Sequence, residues 1–112
     1  ILNLIKDHNQ IPFLAVLKML GSQNKNYLSF PTEGYTLALD FKVSDSVLKL
    51  INILDKVVVD NGGKIYLTKD AIMSKETFRK CYPQWEEFQQ IRSKYKATGK
   101  FVSQQSLRLG LE

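Results

Sequence analysis

Residues 35–63 read YTLALDFKVSDSVLKLINILDKVVVDNGG, and the change of hydrophobic period within this stretch decides the fold. From Tyr35 to Phe41, apolar and polar residues alternate, which is typical of a half-buried strand. From Val47 onward, the apolar residues recur at helical spacing, with Ser44 as a candidate N-cap and Gly62 as a candidate left-handed stop. The stretch therefore predicts a strand followed by a long helix that faces a core.

The sequence before this stretch predicts a helix end and one more strand. Residues 1–9 have the apolar spacing of an amphipathic helix, and Pro12 forbids its continuation. The apolar run 11–20, IPFLAVLKML, has no period that distinguishes a strand from a helix, but Pro12 near its start and Gly21 after its end favour a strand. In such a strand Leu14, Val16 and Lys18 share one face, because side chains alternate.

The sequence after it predicts a third strand and two helices. Residues 64–67, KIYL, have the composition of a short strand that re-enters the core. One helix would be capped by Ser74 and run to Cys81, and a second would carry the apolar spacing of residues 85–95. Residues 103–112 predict a turn or tail. The expected fold is α+β, with mostly antiparallel strands covered by a long helix and followed by a helical C-terminal segment, all in one unit over residues 1–112.

Composition excludes several classes of site and protein. The length of 112 residues suits one small domain, and no apolar run approaches the roughly 20 residues that span a bilayer. Cys81 is the only cysteine and His8 the only histidine, so this chain cannot build a disulfide, a thiolate metal site or a histidine triad. No metal ligand set is expected, and no glycine-rich phosphate loop is present.

The positive charge is concentrated in the second half of the chain. Residues 64–112 carry ten Lys/Arg against five Asp/Glu, whereas residues 1–63 carry six of each. This asymmetry is compatible with a nucleic-acid or acidic-partner binding module. It is more typical of a solvated helical face, or of a surface that meets an acidic partner or a phosphate-bearing ligand.

Two lysines stand out against apolar surroundings. Lys69 follows the predicted strand of residues 64–67, where it could pair with Asp70 or could present a fixed cation to an anion that develops during a reaction. Lys18 lies in an apolar strand, where it either extends into solvent or points into a polar pocket. Tyr66 is expected to be buried. The residues alone do not identify a reaction.

Five ordered segments carry a family resemblance: PFLAVLKMLG, LSFPTEGYTLALDF, GGKIYLTKDA, ETFRKCYPQWEEFQQIR and LRLGL. Together they resemble the C-terminal part of FAD-linked oxidoreductases of the decaprenylphosphoryl-ribose oxidase type, within the vanillyl-alcohol-oxidase-type superfamily. The resemblance covers essentially all 112 residues. It implies the later portion of a substrate (cap) domain plus a C-terminal segment, without the N-terminal FAD-binding domain.

The resemblance also implies a reaction and partners. Members of the family oxidise a sugar hydroxyl, here the ribose 2-hydroxyl of a polyprenyl-phosphoryl ribose, by hydride transfer to FAD, and related members oxidise sugar lactones. The implied partners are the FAD-binding domain of the same protein, the lipid-linked sugar and a separate reductase, but no nucleic acid. The implied location is the cytoplasm, with a periplasmic or membrane-associated location as the alternative.

The matching motif positions imply roles for individual residues. Tyr66 and Lys69 are expected to contact FAD, and Lys69 is expected to be the catalytic cation. The expected substrate-binding residues are Leu14, Val16, Lys18 and Thr36. Without its preceding domain, the chain is expected to bind FAD poorly and to be inactive.

Overall fold

The computed structural model describes residues 1–112 and contains five helices and a two-stranded antiparallel sheet. In chain order the elements are α1 (Leu2–Asp7), β1 (Leu14–Leu20), β2 (Gly34–Asp40), α2 (Asp45–Asp60), α3 (Lys75–Cys81), α4 (Trp85–Lys94) and α5 (Gln104–Leu109). The α+β prediction is confirmed.

The long helix α2 begins and ends where its capping residues predict. The Ser44 side chain accepts a hydrogen bond from the amide of Val47, which satisfies one of the free N–H groups of the first turn. At the other end Gly62 has φ of 70°, and the amide of Gly63 bonds to the carbonyl of Val58 at 2.8 Å. This is the hydrogen bond that closes a Schellman motif.

Two hydrophobic clusters hold the elements together. The smaller one joins α1 and α2 through Ile5, Leu50 and Leu54, and the end of the hairpin reaches it through Leu39 and Phe41. The larger one, here called the C-terminal core, joins the chain around Met73 to α3 and the C-terminal segment; its buried members are Met73, Phe78, Cys81, Tyr82, Leu109 and Leu111. The long helix therefore covers only one end of the sheet.

Two predictions about the second half of the chain are wrong. Residues 64–67 form no strand, because no neighbouring strand pairs with them. Residues 103–112 are no tail, because they contain α5. Ser103 and Ser106 form a reciprocal capping box at its start, and Gly110 ends it in the left-handed conformation.

None of the five helices combines the length with the apolar character that a membrane span requires.

Candidate functional site

The register of the hairpin brings the predicted substrate-binding residues together. Lys18 lies directly opposite Thr36, and Val16 lies opposite Ala38. Leu14 lies opposite Asp40. Directly opposed residues of an antiparallel pair project from the same face of the sheet. This face, here called the site face, is therefore formed by Leu14, Val16, Lys18, Thr36, Ala38 and Asp40.

The site face is open, with polar groups at both ends and apolar groups between them. Leu14 is 48% exposed and Lys18 is exposed, whereas Val16 and Thr36 are half-buried. Leu14 and Lys18 are four residues apart, which corresponds to about 13 Å along a strand. A ligand that spans the face would meet the Lys18 ammonium and the Thr36 hydroxyl at one end.

The ammonium group of Lys69 lies at the opposite end of the site face. Its Nζ atom is 3.4 Å from Oδ1 and 3.5 Å from Oδ2 of Asp40, and the Lys69 side chain is 60% exposed. Such a long, solvated ion pair holds its partners weakly. Lys69 can therefore exchange Asp40 for another anion without unfolding the segment that carries it.

Of the alternatives for Lys69, pairing with Asp70 does not occur, because Asp70 is engaged elsewhere. Its side chain is only 4% exposed, and its Oδ1 atom accepts hydrogen bonds from the amides of Ile72 and Met73 at 3.0 and 2.7 Å. Its Oδ2 atom accepts one from Arg108 at 2.7 Å. The carboxylate thus turns into the fold while the neighbouring lysine turns out of it.

Tyr66 is also placed differently from the prediction. Its side chain is 45% exposed, and its ring packs on Phe30 with the ring centroids 4.7 Å apart. The Tyr66 carbonyl accepts a hydrogen bond from the Lys69 amide at 3.1 Å, so a tight turn connects the two residues. The turn leaves both the phenol ring and the ammonium group accessible to a ligand.

Tyr82, directly after α3, and two side chains of α5 hold the segment that carries Lys69, residues 64–73, here called the lysine segment. The Tyr82 hydroxyl donates to the carbonyl of Ile65 at 2.7 Å, and the Gln105 amide donates to the carbonyl of Leu67 at 2.5 Å. Arg108 donates to the carbonyl of Met73 as well as to Asp70. These contacts replace the strand ladder that the sequence suggested.

Burial shifts the pKa of three groups near the lysine segment. Desolvation raises the pKa of Asp55 in α2 to about 6, with a smaller contribution from the negative charge of Asp70. Desolvation likewise raises the pKa of the Tyr82 phenol and of the Cys81 thiol. Cys81 is therefore a core thiol in its neutral form, in a position that does not suit a nucleophile.

Sequence patterns had singled out neither Asp40 nor the two α5 residues that anchor the lysine segment. Asp40 and its partner Lys69 are 29 residues apart in the sequence. Gln105 and Arg108 are each 38 residues from their partners, Leu67 and Asp70. One sequence signal could have pointed to Asp40: its place on the same strand face as Thr36 in the alternating stretch. Nothing local marks Gln105 or Arg108.

The groups of the site face and Lys69 suit the binding of an anionic ligand with an apolar part. The charged groups are the ammonium groups of Lys18 and Lys69 and the carboxylate of Asp40. No group of three His, Cys, Asp or Glu side chains is arranged to hold a metal ion. The arrangement offers electrostatic stabilisation and orientation of a bound ligand.

Comparison with known proteins identifies the family. The chain is 35% identical over 99 residues to decaprenylphosphoryl-beta-D-ribose oxidase of Mycolicibacterium smegmatis, covering 88% of this chain and 22% of that protein. It is 30% identical over 98 residues to an uncharacterized protein in the mprA 5' region of Streptomyces coelicolor, covering 87% of this chain and 27% of that protein. The chain thus spans about a quarter of the length of these relatives.

The family described as D-arabinono-1,4-lactone oxidase matches residues 18–109, which is most of the chain and includes the lysine segment. The resemblance expected from the five ordered segments is confirmed by this match and by the mycobacterial relative. The chain belongs to the D-arabinono-1,4-lactone oxidase family.

Proposed function

We propose that the chain is the C-terminal part of an FAD-dependent oxidoreductase that oxidises a sugar hydroxyl, and that Lys69 supplies a positive charge to its active site. The observation that carries the proposal is the placement of the Lys69 ammonium: it is exposed, it is carried by a firmly held segment, and its partner Asp40 holds it weakly. Family membership supports the reaction class.

The residues of the lysine segment fit contact with FAD. The Tyr66 ring has an exposed surface that a flat cofactor can cover, and the Lys69 ammonium can reach an anion without disturbing the core. When bound, FAD would accept the hydride that leaves the sugar carbon. Lys69 would stabilise the negative charge that then develops, and its effect would be strong in a site from which water is excluded.

The substrate side of the proposal uses the site face. The proposed substrate is a polyprenyl-phosphoryl ribose, oxidised at its 2-hydroxyl; the name of the mycobacterial relative supports this class. Lys18 and Thr36 would bind the phosphate at one end of the site face, and Leu14 and Val16 would form the apolar wall that leads from there towards Lys69. A separate reductase acting on the resulting ketone would be the next enzyme.

We further propose that the preceding region of the same polypeptide binds most of the FAD. The relatives are about three to four times as long as this chain, which leaves room for such a region. Residues 1–112 would then be the later portion of the substrate domain together with the C-terminal segment that contains α5.

A sugar lactone is the second candidate substrate, because the family is named after D-arabinono-1,4-lactone oxidase. The two candidates differ in the phosphate that Lys18 would bind. Offering both compounds to the flavin-loaded full-length protein and following flavin bleaching separates them. The family match leaves less support for a stand-alone nucleic-acid-binding module, which a salt-dependent shift with DNA or RNA would favour.

Lys69→Met in the full-length protein tests the proposed charge. The substitution keeps much of the side chain's length but removes the cation, so we expect the rate of flavin reduction by substrate to fall by about tenfold or more. Stopped-flow absorbance of the flavin in a single turnover measures this rate directly.

Lys100→Met is the matched control, because Lys100 is an exposed lysine outside the lysine segment and the site face. We expect it to reduce flavin at the wild-type rate. A Lys69→Met protein that binds flavin and is reduced as fast as the control would contradict the proposed role of Lys69.

A further inference from the structure

The position of Lys69 is set by α5 rather than by its own ion pair. Two anchors of the lysine segment come from α5 and lie on either side of Lys69 in the chain: the carbonyl of Leu67, bound by Gln105 at 2.5 Å, and the carboxylate of Asp70, bound by Arg108 at 2.7 Å. The Lys69 side chain adds only an exposed contact of 3.4 Å to Asp40. Movement of α5 would therefore carry Lys69 with it.

The helix α5 is itself fixed to the rest of the molecule. Leu109 and Leu111 are 2% and 7% exposed and belong to the C-terminal core. The guanidinium group of Arg92, in α4, donates to the carbonyl of Phe101 before α5 and to the carbonyl of Leu111 after it. Both ends of this short helix are thereby held against α4.

Arg108 has the geometry of a positioning residue. One of its terminal nitrogens binds the Asp70 carboxylate and the other binds the carbonyl of Met73, so it spans both ends of the turn that follows Lys69. A guanidinium group can make these two bonds at once in a fixed plane, whereas an ammonium group acts as a single point of charge. The Arg108→Lys substitution would keep the positive charge, but it would not hold Asp70 and the Met73 carbonyl together in one plane.

We propose that Arg108, assisted by Gln105, is a positioning residue for the active-site cation, acting on the reaction only through Lys69. This inference rests on the proposed function of Lys69. It predicts that Arg108→Lys loosens the placement of the ammonium group and weakens its effect on the flavin, while the charge of Lys69 itself is unchanged.

A double-mutant cycle in the flavin-loaded full-length protein tests the inference. The measured quantity is the equilibrium constant for flavin reduction against a dye of known potential, which needs no sugar substrate. We expect Lys69→Met to lower it by about tenfold or more, and Arg108→Lys to lower it by about threefold or more. In the Lys69→Met background we expect Arg108→Lys to change it by less than about twofold, since residues that act as a unit are not additive.

Two further variants keep the test sharp. Arg79→Lys is the matched control, because the Arg79 guanidinium lies 4.2 Å from the Trp85 ring centroid, where it contacts a different part of the fold; we expect no change in the equilibrium constant. Gln105→Ala removes only the hydrogen bond to the Leu67 carbonyl, so it can replace Arg108→Lys in the cycle if that variant does not fold. We expect it to give a smaller decrease that also disappears in the Lys69→Met background.

The outcomes separate the two proposals. If Lys69→Met leaves the equilibrium constant unchanged, the proposed function of Lys69 fails, and the role of Arg108 fails with it. If Lys69→Met has its expected effect but Arg108→Lys and Gln105→Ala have none, or have the same effect in both backgrounds, the positioning role alone is overturned.

Discussion

Two ion pairs of equal length show how burial decides what a charged residue does. Arg108–Asp70 and Lys80–Glu76 both have N–O distances of 2.7 Å. The carboxylate of Asp70 is 4% exposed, whereas that of Glu76 is 77% exposed. Water can replace Lys80 as the partner of Glu76, but it cannot reach Asp70. Only the Arg108 pair is therefore expected to matter for stability.

Arg108→Ala is expected to lower the free energy of unfolding by about 3 kcal/mol, because it leaves a buried carboxylate with only two amide donors. Lys80→Ala is expected to cause a much smaller loss. Urea denaturation of the two variants and the wild type measures the difference. Equal losses in the two variants would show that Asp70 finds another partner or becomes exposed.

At the scale of the element, the helix α2 contains a half-buried carboxylate, that of Asp55. Burial raises the pKa of Asp55 to about 6, above its ordinary value of 3.8. The folded protein therefore keeps a proton that the unfolded chain releases as the pH rises from about 4 to about 6. In this window the unfolded state binds fewer protons, so the free energy of unfolding falls as the pH increases.

Asp55→Asn is expected to remove this dependence and to make the protein more stable than the wild type at pH 7. Denaturation midpoints measured between pH 4 and pH 8 test the prediction. Asp60→Asn, at an exposed position of the same helix, is the control and should retain the wild-type decline. A wild-type stability that rises with pH across this window would refute the assignment to Asp55.

The elements that depend on local pattern could be predicted from the sequence, and those that depend on distant contacts could not. The alternation around Leu37 correctly predicted β2, and the helical spacing that includes Leu50 correctly predicted α2, whose N-cap Ser44 was also predicted. The lysine segment has the composition of a strand, yet distant side chains satisfy its carbonyls. The helix α5 is too short for a period, although Ser103 and Gly110 were available as capping signals.

The site shows the same division. The shared face of Leu14, Val16 and Lys18 follows from strand alternation, and the register then adds Thr36. Adjacency in sequence suggested Asp70 as one possible partner of Lys69, but the Asp70 side chain instead bonds to amides two and three residues ahead. Aspartate commonly turns back on its own backbone in this way.

At the scale of the whole molecule, much of the hairpin is uncovered. Leu17, Met19 and Tyr35 are 65%, 77% and 76% exposed, and they lie on the face opposite the site face. Only 11 of the 112 residues are buried, so the interior of this chain is small. Apolar exposure on this scale is typical of a surface that another part of a protein covers.

The isolated 112-residue chain is expected not to form a stoichiometric complex with FAD, since the contacts proposed for Tyr66 and Lys69 would cover only part of such a large cofactor. Ultrafiltration of the chain mixed with FAD, followed by absorbance of the retained fraction, measures binding. Supplying the preceding region of the polypeptide should restore it. A yellow one-to-one complex of the isolated chain would overturn this prediction.

The long sequence separation between the lysine segment and its anchors bears on how the protein is made. Ribosomes synthesise the chain from its N-terminus, so Lys69 emerges well before Gln105 and Arg108. Each of these two residues lies 38 positions after the residue that it binds, Leu67 and Asp70 respectively. During that interval the carboxylate of Asp70 lacks the guanidinium group of Arg108, its partner in the complete fold. The lysine segment can reach its final form only after α5 has been synthesised, and a polypeptide interrupted before residue 105 would contain Lys69 without the two α5 side chains that anchor its segment.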